Sequence, residues 1–326
     1  AAKYALRWPQ ARVTGIDVSR TSILETRKLK DKHGIDNLEL HQLPVERATE
    51  LMRTFECVVC TGVLHHLAEP GRGLQALRDV LTPAGAMHLM VYAPYGRTGA
   101  YMLQDYCRRL GIGTTTSEIR ELAAALSMLP TNHPLVPLLR NARDFHNEAG
   151  LADALLHPQD RAYSVPQLFD YLAAAGLEFG RWLRQAPYLP RCGLLGSSPH
   201  QSLLARLPAE GQYAAAELFR GSMVEHSLIA YHGDRFDQES VAFDGDAWGG
   251  YVPVRLPDTI VVQENLPAGA AAVLINRAHT CTDLYLPIDA RQKSLFDRID
   301  GSQTIAELTA DDMPLQAARA RLCSAR

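Results

Sequence analysis

The sequence predicts an α/β fold built on a mostly parallel sheet, and three observations carry that prediction. Short β-branched or apolar runs alternate with helical stretches through residue 92, the rhythm of βαβ units. Phe55-Glu56-Cys57-Val58-Val59-Cys60 and Met87 to Tyr92 are mostly apolar, as strands covered on both faces are. Arg12-Val13-Thr14-Gly15-Ile16-Asp17-Val18-Ser19 ends in an acid followed by a helix-capping serine, which puts a carboxylate at the edge where open parallel sheets bind ligands.

Taken in order, Ala1 to Pro9 reads as the tail of a helix stopped by a proline, with no cap before it, so the chain is expected to start inside a longer protein. The Asp17 strand follows, then a basic helix capped by Ser19 or Ser22 and ending near Gly34. Asn37 to Gln42 alternates like a strand, Leu43-Pro44-Val45-Glu46 turns into a short helix, and Phe55 to Cys60 is the next strand. Leu74, Leu77 and Leu81 mark a helical face that Thr82-Pro83-Ala84-Gly85 breaks before the Met87–Tyr92 strand. Residues 97–160 read as helices only, with a capping box at Thr115 and Glu118, and are expected to form a lid. Ser164-Val165-Pro166 starts a helix that stops at Gly176, and Leu177 to Tyr188 can be a strand. A helix over roughly 204–220 leads into a last strand, Glu225 to Tyr231.

This gives a first domain over 1–235, a Gly- and Asp-rich linker over 236–250 and a small α+β unit over 251–326. The last unit shows strand-like runs at 260–262 and 272–275, a helix around 295–299, a turn at Asp300-Gly301 and a helix capped by Ser302 or Thr304.

Composition narrows the classes of partner. The chain is 47% hydrophobic and 21% charged with a formal charge of -3, and its last unit carries eight Lys and Arg against nine Asp and Glu, so no nucleic-acid partner is expected. No apolar run reaches the length of a membrane helix, so no membrane association is expected either. Six cysteines in 326 residues are too sparse for a disulfide scaffold and suit a reducing cytosol, giving a cytoplasmic expectation. Cys57 and Cys60 have C-x-x-C spacing, but in a strand their side chains face opposite sides; no metal site is expected.

Gly15-Ile16-Asp17-Val18-Ser19, then Phe55 to Leu67 with Thr61-Gly62-Val63-Leu64-His65-His66, then Leu77 to Gly85, in this order and at these distances, resemble the class I S-adenosylmethionine-dependent methyltransferases. The resemblance covers residues 1–235 and implies a Rossmann-like sheet with an antiparallel last strand, and S-adenosylmethionine as cofactor. It implies that Asp17, with Val18 and Ser19, binds the ribose hydroxyls, that Leu43, Pro44 and Val45 hold the adenine, and that Cys60 and Thr61 lie against the methionine part. The family's usual Gly-Asp pair at the adenine is Leu43-Pro44 here, so backbone groups or Glu46 would substitute. The family's first strand and glycine-rich loop precede the helix with which this chain begins, which makes it either a fragment or a degenerate relative. Phe296 to Leu308 faintly resembles small winged-helix peptide-binding domains of the PqqD type; a helix-turn-helix packing unit without a ligand reads equally well.

Methyl transfer from a sulfonium is an in-line displacement, and the protein holds the nucleophile near attack distance and excludes water. His65 and His66 follow the strand beside the methyl position, as a base or only as loop support. Tyr92 and Tyr95 line the acceptor site or pack the lid hinge, and His157-Pro158-Gln159-Asp160-Arg161-Ala162-Tyr163, through His157 and Tyr163, contacts substrate or fixes the lid. The expected activity is methyl transfer to O or N of an unidentified acceptor, a small molecule, peptide or protein. A catalytically inactive relative that recruits a peptide or protein through its last unit is the alternative, and a nicotinamide-dependent dehydrogenase explains the His-His segment less well.

Overall fold

The computed structural model of the chain describes residues 1–141, 145, 147–233, 247–277 and 281–310. Helix α1 (Ala2–Arg7) leads to β1 (Val13–Asp17), α2 (Arg20–His33) and β2 (Leu38–Gln42). The Asn37 side-chain amide, donating to the carbonyls of Ala5, Trp8 and Ala11 at 3.1, 3.1 and 2.8 Å, fixes the end of α1 against the start of β1. Ser19 caps α2 by accepting from Ser22 N, and Gly34, at φ 58°, closes it in the left-handed conformation a glycine adopts without penalty. Strands β1 and β2 are parallel, with Asp17 opposite Gln42.

A 3-10 segment, Val45–Leu51, connects to β3 (Phe55–Thr61); α3 (Pro70–Asp79) and β4 (Leu81–Tyr92) follow. Leu81 therefore begins a strand and does not continue the helical face of Leu74 and Leu77. Phe55 pairs with Leu81 and Cys57 with Ala86, so Thr82 to Gly85 stand opposite Glu56 alone, an irregularity inside β4. Cys57 is exposed and Cys60 buried, as strand alternation requires.

The stretch from Arg97 to Asp160 holds α4 (Thr98–Leu110), α5 (Thr116–Ser127), α6 (Val136–Asn141) and α7 (Glu148–Leu156). These helices have a core of their own, in which Leu103, Leu122, Leu126, Leu135, Leu151 and Leu155 are buried together. At roughly 1.5–3 kcal/mol for each large apolar side chain taken from water, such a core holds the helices as a unit. The capping box at the head of α5 is present, with Thr115 N donating to Glu118 Oε2 at 3.1 Å.

Helix α8 (Val165–Ala174) and β5 (Leu177–Trp182) follow; the predicted strand to Tyr188 ends at Trp182, where the chain turns into a 3-10 segment at Ala186–Tyr188. Short helices α9 (Gly193–Gly196) and α10 (Gln201–Leu204) precede α11 (Ala209–Arg220), which Pro208 separates from the predicted start at 204. The last strand of this part, β6 (Glu225–His232), is antiparallel to both β4 and β5, and the four-stranded order is β3-β4-β6-β5. Among the described residues β1 pairs only with β2 and β3 only with β4, so the sheet is divided between β1 and β3. Ile16, near the end of β1, still packs against the main core with Val45, Ala48, Val58 and Cys60.

Of the predicted linker, residues 236–246 lie outside the described residues, and Ala247–Gly250 is a 3-10 turn. Antiparallel β7 (Thr259–Val262), β8 (Ala272–Asn276) and β9 (Leu286–Ile288) then precede α12 (Ala290–Arg298) and α13 (Ile305–Thr309). Strand β9 was not predicted, and α12 starts earlier than expected because Asp289 caps it in a capping box with Gln292. Asp283 ties this unit to α11 and α9 by pairing with the Arg220 guanidinium and accepting from Leu194 N at 3.1 Å. Residues 311–326, with Cys323, lie outside the described residues. No helix among the described residues is long and apolar enough to cross a membrane.

Candidate active site

The residues expected to hold the cofactor lie at the carboxyl ends of β1, β2 and β3. Leu43 N donates to the Asp17 carbonyl at 3.0 Å, which sets the loop 43–45 directly beside the end of β1. The Asp17 carboxylate uses Oδ1 to accept from Ser19 N at 2.8 Å, a local turn that fixes its direction. The half-buried Asp17 is thereby held as an oriented acceptor. Ser19 spends its hydroxyl on capping α2, and Val18 is 70% exposed. Val45 is in the core, beside half-buried Leu43 and Pro44.

Cys60 is buried, and burial pushes its thiol up to about 12, so it stays protonated and unreactive. Thr61, exposed at the end of β3, precedes Gly62 at φ 73°, where the backbone turns sharply back from the strand.

His65 and His66 sit in the short 3-10 turn Leu64–His66 after this strand. His65 is 1% exposed, its ring 3.8 Å from that of Tyr92 and 4.3 Å from that of His66. Burial first, then the neighbouring His66, Arg97 and His157, depress its pKa to about 3. A ring so weakly basic stays neutral and is a poor proton acceptor at neutral pH. His66 is different: Nδ1 lies 3.0 Å from the Gln159 carbonyl and Nε2 3.7 Å from Asp153, with the His157 ring at 4.2 Å.

The segment 157–163 is laced across this end of the sheet. Arg161 N donates to the His65 carbonyl at 3.0 Å and Tyr163 N to the Tyr92 carbonyl at 2.9 Å. His157 and Tyr163 are thus brought beside the His-His turn, although the Tyr163 ring stacks on Tyr171 at 4.9 Å, within the core. Tyr95 is 41% exposed and stands apart, its carbonyl accepting from the Thr98 hydroxyl at 2.7 Å.

Sequence reasoning missed the buried charges beneath this segment. Arg97, 3% exposed, lies over the Tyr92 ring at 3.5 Å, and its Nη2 is 3.7 Å from Asp160 Oδ2. Gln104, on α4, donates to the same Asp160 oxygen at 2.6 Å and to the Ala154 carbonyl at 3.0 Å. Tyr101 stands beside Arg97, with burial and then Asp160 pushing its hydroxyl up to about 12. Gly96 sets the position of Arg97: a Cβ there would meet the Met223 carbonyl oxygen at 2.3 Å, and Gly96 N donates to that oxygen at 3.0 Å. The presence of Asp and Arg within the 157–163 motif was the available signal; nothing local marked Arg97 or Gln104.

An oriented strand-end acid, an adjacent loop and an exposed strand end at Thr61 stand together at the carboxyl ends of β1, β2 and β3. Residues 1–87 match the family described as methyltransferase domain. An uncharacterized protein of Synechococcus sp. is 32% identical over 182 residues, covering 52% of this chain and 42% of that protein. Among solved structures, PKMT2 from Rickettsia typhi superposes with a TM-score of 0.64 at 14% identity, over 98% of this chain and 65% of that one. The same protein in complex with AdoHcy matches at 15% identity, again with a TM-score of 0.64. The chain therefore spans less than half of the curated relative and about two thirds of the structural one.

Proposed function

We propose that this chain, which has the class I methyltransferase fold and whose first 87 residues match a methyltransferase domain, takes part in S-adenosylmethionine-dependent methyl transfer to an oxygen or nitrogen acceptor. The observation that carries the reading is the hydrogen bond from Leu43 N to the Asp17 carbonyl, since it joins the expected ribose and adenine contacts at one place. The cofactor, when bound, supplies a methyl group on a sulfonium. Asp17 would hold the ribose hydroxyls as a hydrogen-bond acceptor, each charge-assisted bond being worth about 1.5–3 kcal/mol. The loop 43–45 would border the base, and the backbone of Cys60 and Thr61 the methionine part.

The acceptor's place is beside Tyr92 and the His65-His66 turn, under the 157–163 segment and the helices of 97–160. Tyr92 and His65, both buried, pack ring against ring with their planes tilted by 31°, and such a dry neighbourhood would keep water from the reacting atoms. His66, whose ring bridges to Gln159 and stands near Asp153, is the better placed of the two histidines to receive a proton. Isothermal titration calorimetry of the full-length protein with S-adenosylhomocysteine tests the reading: a saturable heat supports it, and the absence of heat sinks it.

A further inference from the structure

The buried polar atoms that lack hydrogen-bond partners concentrate in one place. Both ring nitrogens of His65, Nε and Nη2 of Arg97, the Tyr101 hydroxyl and Oδ1 of Asp160 are all without one. The side chains of Arg97 and Asp160 are only 4% and 2% exposed, so these are costly groups to leave unmatched. Their arrangement is also directional. Tyr92 covers the flat face of the Arg97 guanidinium, leaving the Nε–Nη2 edge, while Gln104 occupies Oδ2 of Asp160 and leaves Oδ1. Side by side stand a two-pronged donor and a single acceptor.

We infer that this edge recognises an uncharged amide group on the methyl acceptor. The amide carbonyl accepts from Nε and Nη2 of Arg97, and the amide N–H donates to Oδ1 of Asp160. Charge decides against the alternatives: Arg97 and Asp160 neutralise each other, so a carboxylate or an ammonium would leave a net buried charge, which desolvation disfavours. An amide adds none. The inference rests on the methyltransferase reading, since Arg97 follows β4, one strand on from Thr61. The 157–163 segment, which carries Asp160, covers this edge, with Arg161 N donating to the His65 carbonyl and Tyr163 N to the Tyr92 carbonyl, so the amide is bound with that segment in place over it.

Saturation-transfer NMR of the full-length protein with hexanamide, N-methylpentanamide, hexanoate and pentylamine provides the test. Transfer to the amides and not to the two charged molecules is expected; hexanamide alone identifies a side-chain carboxamide, and both amides identify a peptide group. Equal transfer to a charged probe, or none to either amide, overturns the inference whatever the variants do. Arg97→Lys keeps the charge but loses the two-pronged edge, and should weaken the amide at least fivefold; an unchanged amide affinity also overturns the inference. S-adenosylhomocysteine titration of the same samples separates the two levels. Retained heat with a failed amide result rejects the amide site alone, whereas no heat from the unmodified protein rejects the methyltransferase reading and this inference with it.

Discussion

The Arg97 guanidinium carbon lies 3.5 Å from the centroid of the Tyr92 ring, so the last residue of β4 and the residue heading α4 form one stacked unit. On its other side Arg97 balances the buried Asp160. Removing the cation strands that carboxylate, so Arg97→Ala should lower stability to urea by about 3–5 kcal/mol, while Arg97→Ala combined with Asp160→Ala should recover part of the loss. Additive losses in the double variant would show that the two charges do not interact.

His65 predicts an acid sensitivity. Its folded pKa is depressed to about 3 by burial and by His66, Arg97 and His157, against about 6.5 when unfolded. Between those values the unfolded chain binds a proton that the folded one does not. Stability is therefore full above pH 6.5 and falls as pH drops toward 3, by at most about 1.4 kcal/mol per pH unit from this group. His65→Leu should flatten the urea-midpoint profile over that range, and an unaltered profile contradicts the assignment.

A buried relay holds β6 to α11 and α8. His226 Nδ1 lies 2.7 Å from the Tyr188 hydroxyl and Nε2 3.0 Å from Glu217 Oε1, while Glu217 Oε2 accepts from Val165 N at 2.9 Å. Glu217→Ala unpartners both a ring nitrogen and a main-chain N–H, so it should destabilise by about 3–5 kcal/mol. Tyr188→Phe removes one bond and should cost about 1–2 kcal/mol. Chemical denaturation of the two variants checks the order.

Thr115→Ala tests a local element. It removes the acceptor for Glu118 N at the head of α5 and should cost about 1 kcal/mol, read as a small shift in the denaturation midpoint.

Where local chemistry decides structure, the sequence was legible. Ser19 and Gly34 bound α2, Thr115 and Glu118 open α5, and Asp17 ends its strand, because each acts on neighbours a few residues away. Leu81 misled because the helical period continues through it, yet Phe55 N donates to the Val80 carbonyl at 2.8 Å and Leu81 pairs with Phe55. Strand pairing outweighed periodicity. Strand β9 is three residues around Pro287, paired with β8 at the sheet edge, too short and too proline-marked to read. The Arg97, Gln104 and Asp160 contacts depend on how the helices pack: Gln104 and Asp160 meet across 56 positions of sequence, and no spacing rule reaches that far.

The central claim, that the end of β1 binds the ribose of an adenosyl cofactor, is tested most directly by titrating S-adenosylhomocysteine into the full-length protein and its Asp17→Ala variant. Loss of even one charge-assisted hydrogen bond costs at least about 1.4 kcal/mol, so the variant should bind at least about tenfold more weakly. Equal affinity in the two proteins would contradict the claim.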